Sequence, residues 1–281
     1  MRAGSTDGAD GGGAEDGGAE GALVRRLRAA GCVFAEDEAR LLRGAAGSPV
    51  ELEAMTVRRV AGEPLEYVLG WVDFRGLRLV VAPGVFVPRT RTGHLVERAV
   101  AVAGSSPVVV DLCCGNGAVA AAVAAELGPD RVPAELWASD VDPAAVACAR
   151  TNLAAYGGRV VEGDLLDPLP DSLRGRVDVL VANTPYVPTD AIALMPREAR
   201  EHEARVALDG GPDGLALLRR TAAAAPAWLA PGGHLLVEIA EEQVPAAVAA
   251  YESAGLAASV STSEEYAATV ALGRLPDRLA G

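Results

Sequence analysis

The sequence predicts an α/β protein built on a doubly wound parallel sheet, and three observations predict it. First, the uninterrupted β-branched run over 108–110 ends in Asp111, crosses the glycine-bearing turn Cys113-Cys-Gly-Asn-Gly117 and continues as an alanine-rich helix to Leu127. Second, short apolar runs alternate with helical segments from there to about residue 254. Third, the chain closes on two strand-like runs, 257–262 and 269–272, that read as an antiparallel pair.

Composition narrows the class. Half of the 281 residues are hydrophobic but only 4% are aromatic, so the core must be built from Ala, Val and Leu. All 25 basic residues are arginine, against 38 acidic ones, for a net charge of −13. A sequence-independent grip on nucleic acid needs a field of phosphate-neutralising cations, so direct nucleic-acid binding is not expected. Cys32, Cys113, Cys114 and Cys148 form no CxxC pair and have no histidine at metal-ligand spacing. They read as reduced intracellular thiols, with no metal site. The apolar runs fall short of the roughly 18 residues of a membrane span. No basic segment leads into an apolar one at the N-terminus. A cytoplasmic monomer that does not engage a membrane is expected.

Four regions follow in order. Residues 1–20, almost wholly Gly, Ala, Asp, Glu, Ser and Thr, are expected to form a disordered acidic tail. Residues 21–69 form a helical domain: Leu23, Val24 and Leu27, then Ala39, Leu41 and Leu42, then Val50, Leu52, Met55, Val57 and Val60 mark three short amphipathic helices. Ser48 is the predicted N-cap of the third, with Pro49 at the first helical position and Glu51 three residues on. Residues 70–89 form a β-hairpin linker, with Trp71, Val72 and Phe74 facing Leu77, Leu79 and Val81 across Arg75-Gly76. Residues 90–281 carry the sheet. Its predicted strands are 108–111, 135–139, 159–162, 177–182 and 233–239, with helices over 94–103, 118–127, 143–155, 215–228 and 242–254.

Ligands of open α/β sheets sit beyond the carboxyl ends of the strands, near the switch in strand order. Asp111, Asp140, Asp164 and Asn183 punctuate four such ends. Gly115 and Gly117 let a ligand lie against the turn and the first amides of the helix. Asp140 can accept from both hydroxyls of a ribose, Asp164 from an exocyclic amine of adenine with Leu165 over the ring, and Asp111 can meet an ammonium. Singly, each is explained equally by helix capping. Together they point to an adenosine-bearing ligand. Position 120 is alanine rather than the third glycine of GxGxxG, a modest argument against a dinucleotide. In Asn183-Thr-Pro-Tyr186 the Asn amide can hold a planar nitrogen group, Tyr186 can pack across it, and Pro185 keeps Thr184 extended. A plain proline turn is the simpler alternative.

With these motifs in this order, the sequence resembles the protein N5-glutamine methyltransferases that modify class I peptide-chain release factors. The resemblance covers about residues 62–273. It rests on Gly62-Glu-Pro-Leu-Glu-Tyr-Val-Leu-Gly70, Val87-Pro-Arg89 with Thr92, Asp111-Leu-Cys-Cys-Gly-Asn-Gly117 and Asp140-Val-Asp-Pro143. It continues through Asn183-Thr-Pro-Tyr-Val187, Ala207-Leu-Asp-Gly-Gly-Pro-Asp-Gly-Leu215 and Leu236-Val-Glu-Ile239.

The resemblance implies a Rossmann-like class I methyltransferase domain using S-adenosyl-L-methionine. It implies that the cofactor is held by Pro88, Thr92, Asp111, Cys113, Gly115, Gly117, Asp140, Val141, Asp164, Leu165 and Asn183. The methyl acceptor would be a glutamine side-chain amide on a loop of a protein substrate such as a release factor. Asn183 would accept from the amide NH2, the backbone at Thr184 or Pro185 would supply a second acceptor, and Tyr186 would pack on the amide plane.

Two departures mark a divergent member. Thr184 stands where the family carries the first of two prolines, and Pro88-Arg-Thr-Arg-Thr-Gly93 replaces the usual Pro-Arg-Pro-Glu-Thr-Glu. N-methylation of an adenine amino group or a small-molecule amine, and a cofactor-binding protein without activity, are the alternatives. His94, His202 and His234 are assigned to surface or packing roles.

Overall fold

The computed structural model describes residues 13–195 and 197–277. The chain divides into two compact units between Leu69 and Gly70. No helix among the described residues is long and apolar enough to cross a membrane.

The first unit is helical: α1 (Gly13–Ala29), α2 (Ala35–Ala45), α3 (Pro49–Val60) and α4 (Leu65–Leu69). Its core joins Leu23, Leu27, Ala39, Leu42, Met55 and Val68. Ser48 caps α3, its hydroxyl accepting from the Glu51 N–H at 3.2 Å. Arg59 and Glu38 form a buried bidentate pair at 2.6 and 3.1 Å.

Helix α1 takes in residues 13–20, part of the stretch expected to be a disordered tail; residues 1–12 lie outside the described residues. Leu23 and Leu27 are buried on this helix, and Ala19 and Glu20 are good helix formers that favour its continuation toward the N-terminus. Helix α4 is a second departure. Its five residues are too few to show a helical period.

The second unit opens with β1 (Trp71–Phe74) and β2 (Leu77–Val80), an antiparallel hairpin. Arg75 and Gly76 both have positive φ, +48° and +77°, as a two-residue type I′ turn requires. There follow α5 (Gly93–Val102), β3 (Val108–Leu112), α6 (Ala118–Leu127), β4 (Glu135–Asp140), α7 (Pro143–Leu153), β5 (Arg159–Glu162) and β6 (Val177–Ala182). The chain ends with α8 (Arg197–His202), α9 (Ala216–Ala224), β7 (Leu229–Ile239), α10 (Val244–Ser253), β8 (Ala257–Ser263) and β9 (Ala268–Arg274).

The seven-stranded sheet has the order β5-β4-β3-β6-β7-β9-β8. Its first five strands are parallel, and β9 runs antiparallel to both of its neighbours. This is the doubly wound, Rossmann-like sheet expected. All five residues of β3 are buried, which is why the run lacks polar alternation. Leu112, Leu180 and Leu235 are fully buried in one core, where truncation of any one to alanine costs about 2–5 kcal/mol. Strand β7 begins at Leu229, earlier than expected, because Pro231-Gly-Gly233 reads as a turn yet lies where the β6–β7 register shifts. A Cβ on Gly233 would sit 2.6 Å from the Val177 carbonyl, so glycine is what lets the strands approach there.

The sheet grows from β3 to β4 and β5 on one side and to β6 and β7 on the other. This reversal places a crevice beyond the carboxyl ends of β3, β4 and β6.

Candidate active site

The chain leaves β3 through a left-handed turn in which Cys113, Gly115 and Gly117 have φ of +53°, +54° and +79°. Glycine enters this region freely, whereas Cys113 does so at roughly 1–2 kcal/mol. Such strain persists where the surroundings over-determine the backbone. Here the Cys114 N–H donates to the Ser139 carbonyl at 3.1 Å, and the Gly115 N–H donates to Asp140 Oδ2 at 2.8 Å. A Cβ on Gly117 would lie 3.2 Å from the Cα and Cβ of Ala149, so that glycine admits α7 against the turn.

Asp140 Oδ1 accepts from the Asp142 N–H at 2.9 Å. Each oxygen of this carboxylate thus has a backbone donor, the Val141 N–H also bears on the group, and of its roughly four acceptor sites at least one stays free. Burial raises the Asp140 pKa, and the N–H groups of Asp142 and Gly115 oppose the rise. Asp111 is 1% exposed and accepts from the Ala120 N–H in the first turn of α6 at 3.1 Å. Burial pushes its pKa up to about 8, against that N–H and helped by the charge of Asp140.

A cavity of about 320 Å³ opens over these strand ends, within the roughly 300–1,000 Å³ range of small-molecule sites. Its wall brings together Cys113, Gly115, Asp140, Val141, Asp164, Leu165 and Pro185. Asp164 Oδ2 accepts from Arg220 Nη2 at 2.6 Å, on a half-exposed pair that solvent screens. The backbone of Leu165 is pinned by the Ser139 hydroxyl, which donates to its carbonyl at 2.7 Å.

Asn183 follows β6 directly. Its Nδ2 donates to Oγ1 of buried Thr92 at 3.4 Å, leaving the side-chain carbonyl as an acceptor. The Tyr186 hydroxyl donates to Glu238 Oε1 at 3.4 Å, and Arg91 Nε donates to the same oxygen at 3.1 Å. Burial, and next the charge of Glu238, push the Tyr186 pKa up to about 12.

The stretch 207–215 lies against this motif. The Gly210 N–H donates to the Val187 carbonyl at 2.9 Å, and Gln243 Nε2 bridges the carbonyls of Tyr186 and Asp213, both at 3.0 Å. A Cβ on Gly214 would fall 2.1 Å from the Tyr186 carbonyl.

Comparison with known proteins points to methyltransferases. The family described as the methyltransferase small domain matches residues 77–211. The chain is 39% identical over 193 residues to the release factor glutamine methyltransferase of Geobacter sulfurreducens, across 68% of this chain and 66% of that protein. The chain is thus similar, over 60–66% of their length, to several proteins named release factor glutamine methyltransferase.

Within reach of the family, but named for a different acceptor, is the 4-amino-L-phenylalanine/4-methylamino-L-phenylalanine methyltransferase of Streptomyces pristinaespiralis. It is 36% identical over 197 residues, covering 68% of this chain and 65% of that protein. The matches thus span just under two thirds of each of these relatives. A Pyrococcus furiosus methyltransferase structure shares the fold, with a TM-score of 0.54 at 15% identity over 80% of this chain and 98% of its own.

Of the residues anticipated from the family, Asp111, Gly117, Asn183, Tyr186, Pro88 and Thr92 are not in the cavity wall. Asp111 lies near the end of β3 and Gly117 in the turn after it, Thr92 supports Asn183, Tyr186 lines a second cleft, and Pro88 lines a separate one with Arg75 and Tyr266. The departure at Gly93 has a physical reason: a Cβ there would meet Tyr266 Cε1 at 2.7 Å and Arg75 Nη1 at 2.9 Å. His94 is a packing residue, 5% exposed, with Nε2 3.0 Å from the Ser261 hydroxyl.

Sequence reasoning missed Asn116, Asn152, Arg91 and Glu238 as site residues. Asn116 Nδ2 and Asn152 Nδ2 both donate to the Val80 carbonyl, at 3.2 and 2.9 Å, tying the hairpin to the glycine turn. Glu238 carried a signal, a lone carboxylate inside the apolar run Leu236-Val-Glu-Ile239.

Proposed function

We propose that the chain is an S-adenosyl-L-methionine-dependent N-methyltransferase whose acceptor is the side-chain amide nitrogen of a glutamine in a protein, such as a peptide-chain release factor. The observation that carries it is the pairing of Asn183 with Thr92 at the end of β6, two residues before Pro185 in the wall of the cavity. The pairing orients a planar hydrogen-bonding side chain beside a cavity furnished for an adenosine-bearing ligand. A cytoplasmic, monomeric enzyme is part of this proposal.

The residues present fit the cofactor. Asp140 keeps a free acceptor site for a ribose hydroxyl, Val141 and Leu165 are apolar walls for adenine, and Asp164 can accept from its amino group. Asp111 and the turn over Gly115 and Gly117 serve the amino-acid end, where an ammonium would draw Asp111 back toward its ionised form. When bound, the cofactor supplies an electrophilic methyl carbon.

An amide nitrogen is a poor nucleophile because its lone pair is delocalised, so positioning must do what a base does elsewhere. The Asn183 side-chain carbonyl accepts one amide N–H, and a main-chain carbonyl at Thr184 or Pro185 accepts the other. Tyr186 packs on the amide plane. Held this way, the nitrogen presents a face rather than an edge to the cavity, and the two carbonyls stabilise the positive charge that develops as the new bond forms. The proton lost from nitrogen leaves through these acceptors to water.

Labelled cofactor offered with a release factor and with a cell extract tests this. Transfer to a glutamine, abolished by Asn183→Ala, is expected. The aryl-amine amino acid named for the Streptomyces pristinaespiralis relative supports a second reading, a free amino acid as acceptor. Label in that compound and in no protein would select it.

A further inference from the structure

A second cleft, of about 590 Å³, lies beside the acceptor motif and shares no wall residue with the cofactor cavity. Arg91, Tyr186 and Glu238 line it, with Glu241 and Glu264 at its edge. The side chain of Glu238 is only 3% exposed. Its Oε1 receives both Arg91 and the Tyr186 hydroxyl, while its Oε2 is buried with no hydrogen-bond partner among the described residues. An unpartnered acceptor of this kind is costly to retain and calls for a donor from outside the chain. Three carboxylates against one guanidinium also select for N–H donors and cations rather than anions.

Ala182 and Val237 are the last paired residues of the parallel β6–β7 ladder, so Asn183 and Glu238 each follow directly on neighbouring strands whose backbones are ~4.8 Å apart. That is a gap an amino-acid side chain bridges, with its terminal nitrogen at Asn183 and its α-carbon at the cleft.

We propose that this cleft is the subsite for the main-chain end of the acceptor amino acid, with Glu238 Oε2 accepting the N–H of its α-nitrogen. Arg91, half exposed at the rim, faces the adjoining carbonyl or carboxylate. The α-nitrogen is a peptide N–H in a protein acceptor and an ammonium in a free amino acid. The subsite deepens the proposed N-methyltransferase activity and rests on it, but it serves either acceptor source.

Binding titrations on the full chain, with S-adenosylhomocysteine present, test the subsite apart from turnover. One pair of ligands is a peptide with an internal glutamine and its depsipeptide analogue, in which an ester oxygen replaces the glutamine N–H. The other pair is 4-aminophenylalanine and 3-(4-aminophenyl)propanoate, which lacks the α-ammonium. In whichever pair binds, the analogue without the α-nitrogen is expected to bind the native protein at least about tenfold more weakly. Glu238→Gln is expected to shrink that ratio to near one by weakening the parent ligand. Equal binding of both members to the native protein, or no binding by either pair, overturns the proposal. Should Glu238→Gln fail to fold, the native ratio still decides. A silent peptide pair beside a discriminating amino-acid pair sinks the protein-glutamine reading and leaves the subsite standing.

Discussion

The carboxylate of Asp140 and the main-chain N–H of Gly115, 25 positions apart, are joined by a 2.8 Å hydrogen bond that locks the end of β4 to the turn after β3. The group proposed to hold the ribose therefore also shapes the loop on which the ligand lies. Asp140→Ala is expected to weaken cofactor binding roughly 10- to 100-fold, since hydrogen bonds to charged groups contribute about 1.5–3 kcal/mol. Calorimetric titration measures that loss. The same variant should also melt earlier than the native protein without any ligand; an unchanged melting temperature would show that the turn does not depend on Asp140.

Asn183 is proposed to align the acceptor rather than the cofactor. Asn183→Ala should lower the single-turnover rate by a factor on the order of 10²–10³, as loss of an oriented transition-state contact does. Cofactor affinity should stay within a few-fold. Rapid-quench transfer of labelled methyl, beside a cofactor titration, separates the two, and a large change in cofactor affinity at native rate would contradict the assignment.

Asp111 makes stability depend on pH in the cofactor-free protein. Its folded pKa of about 8 stands above the ordinary value of 3.8, chiefly through burial. The folded state therefore holds the proton more tightly than the unfolded state. The resulting stabilisation is fully present below about pH 4 and is lost as pH rises toward 8, by up to about 1.4 kcal/mol per unit. Asp111→Asn lacks this titration. Thermal melts from pH 4 to 8 should show the native protein losing ground steadily to the variant, and a native protein that gains ground with pH would refute the sign.

Gly214 has φ of +75° and no room for a Cβ, the nearest atom being the Tyr186 carbonyl at 2.1 Å. Gly175 also has positive φ, +69°, but open space around it. Gly175→Ala should cost about 1 kcal/mol, the price of left-handed backbone alone. Gly214→Ala should cost several kcal/mol more or displace Tyr186, with a matching fall in transfer rate. Denaturant unfolding of the two variants compares them directly, and equal costs would mean that the 207–215 stretch does not brace the acceptor motif.

The parallel sheet was legible in the sequence because burial on both faces leaves an unmistakable mark, the unbroken Val108-Val-Val110 before a glycine turn. Asp140 and Leu165 were legible for a related reason: the carboxyl ends of strands in such a sheet are where ligands lie, whatever the side chains beyond. Local chemistry likewise determined the Ser48 cap and the Arg75-Gly76 turn, since each depends on atoms only a few residues apart.

Tertiary structure alone decided which of these groups share a cavity. Thr92 reaches Asn183 across 91 positions, and Asn152 reaches Val80 across 72; no periodicity encodes such pairs. Most of all, Glu238 reads in sequence as one odd charge in an apolar strand. Only the packing of β6 beside β7, with Arg91 and Tyr186 both drawn to Oε1, leaves Oε2 buried and waiting for a donor, because hydrogen-bond satisfaction is a property of the folded neighbourhood and not of the chain.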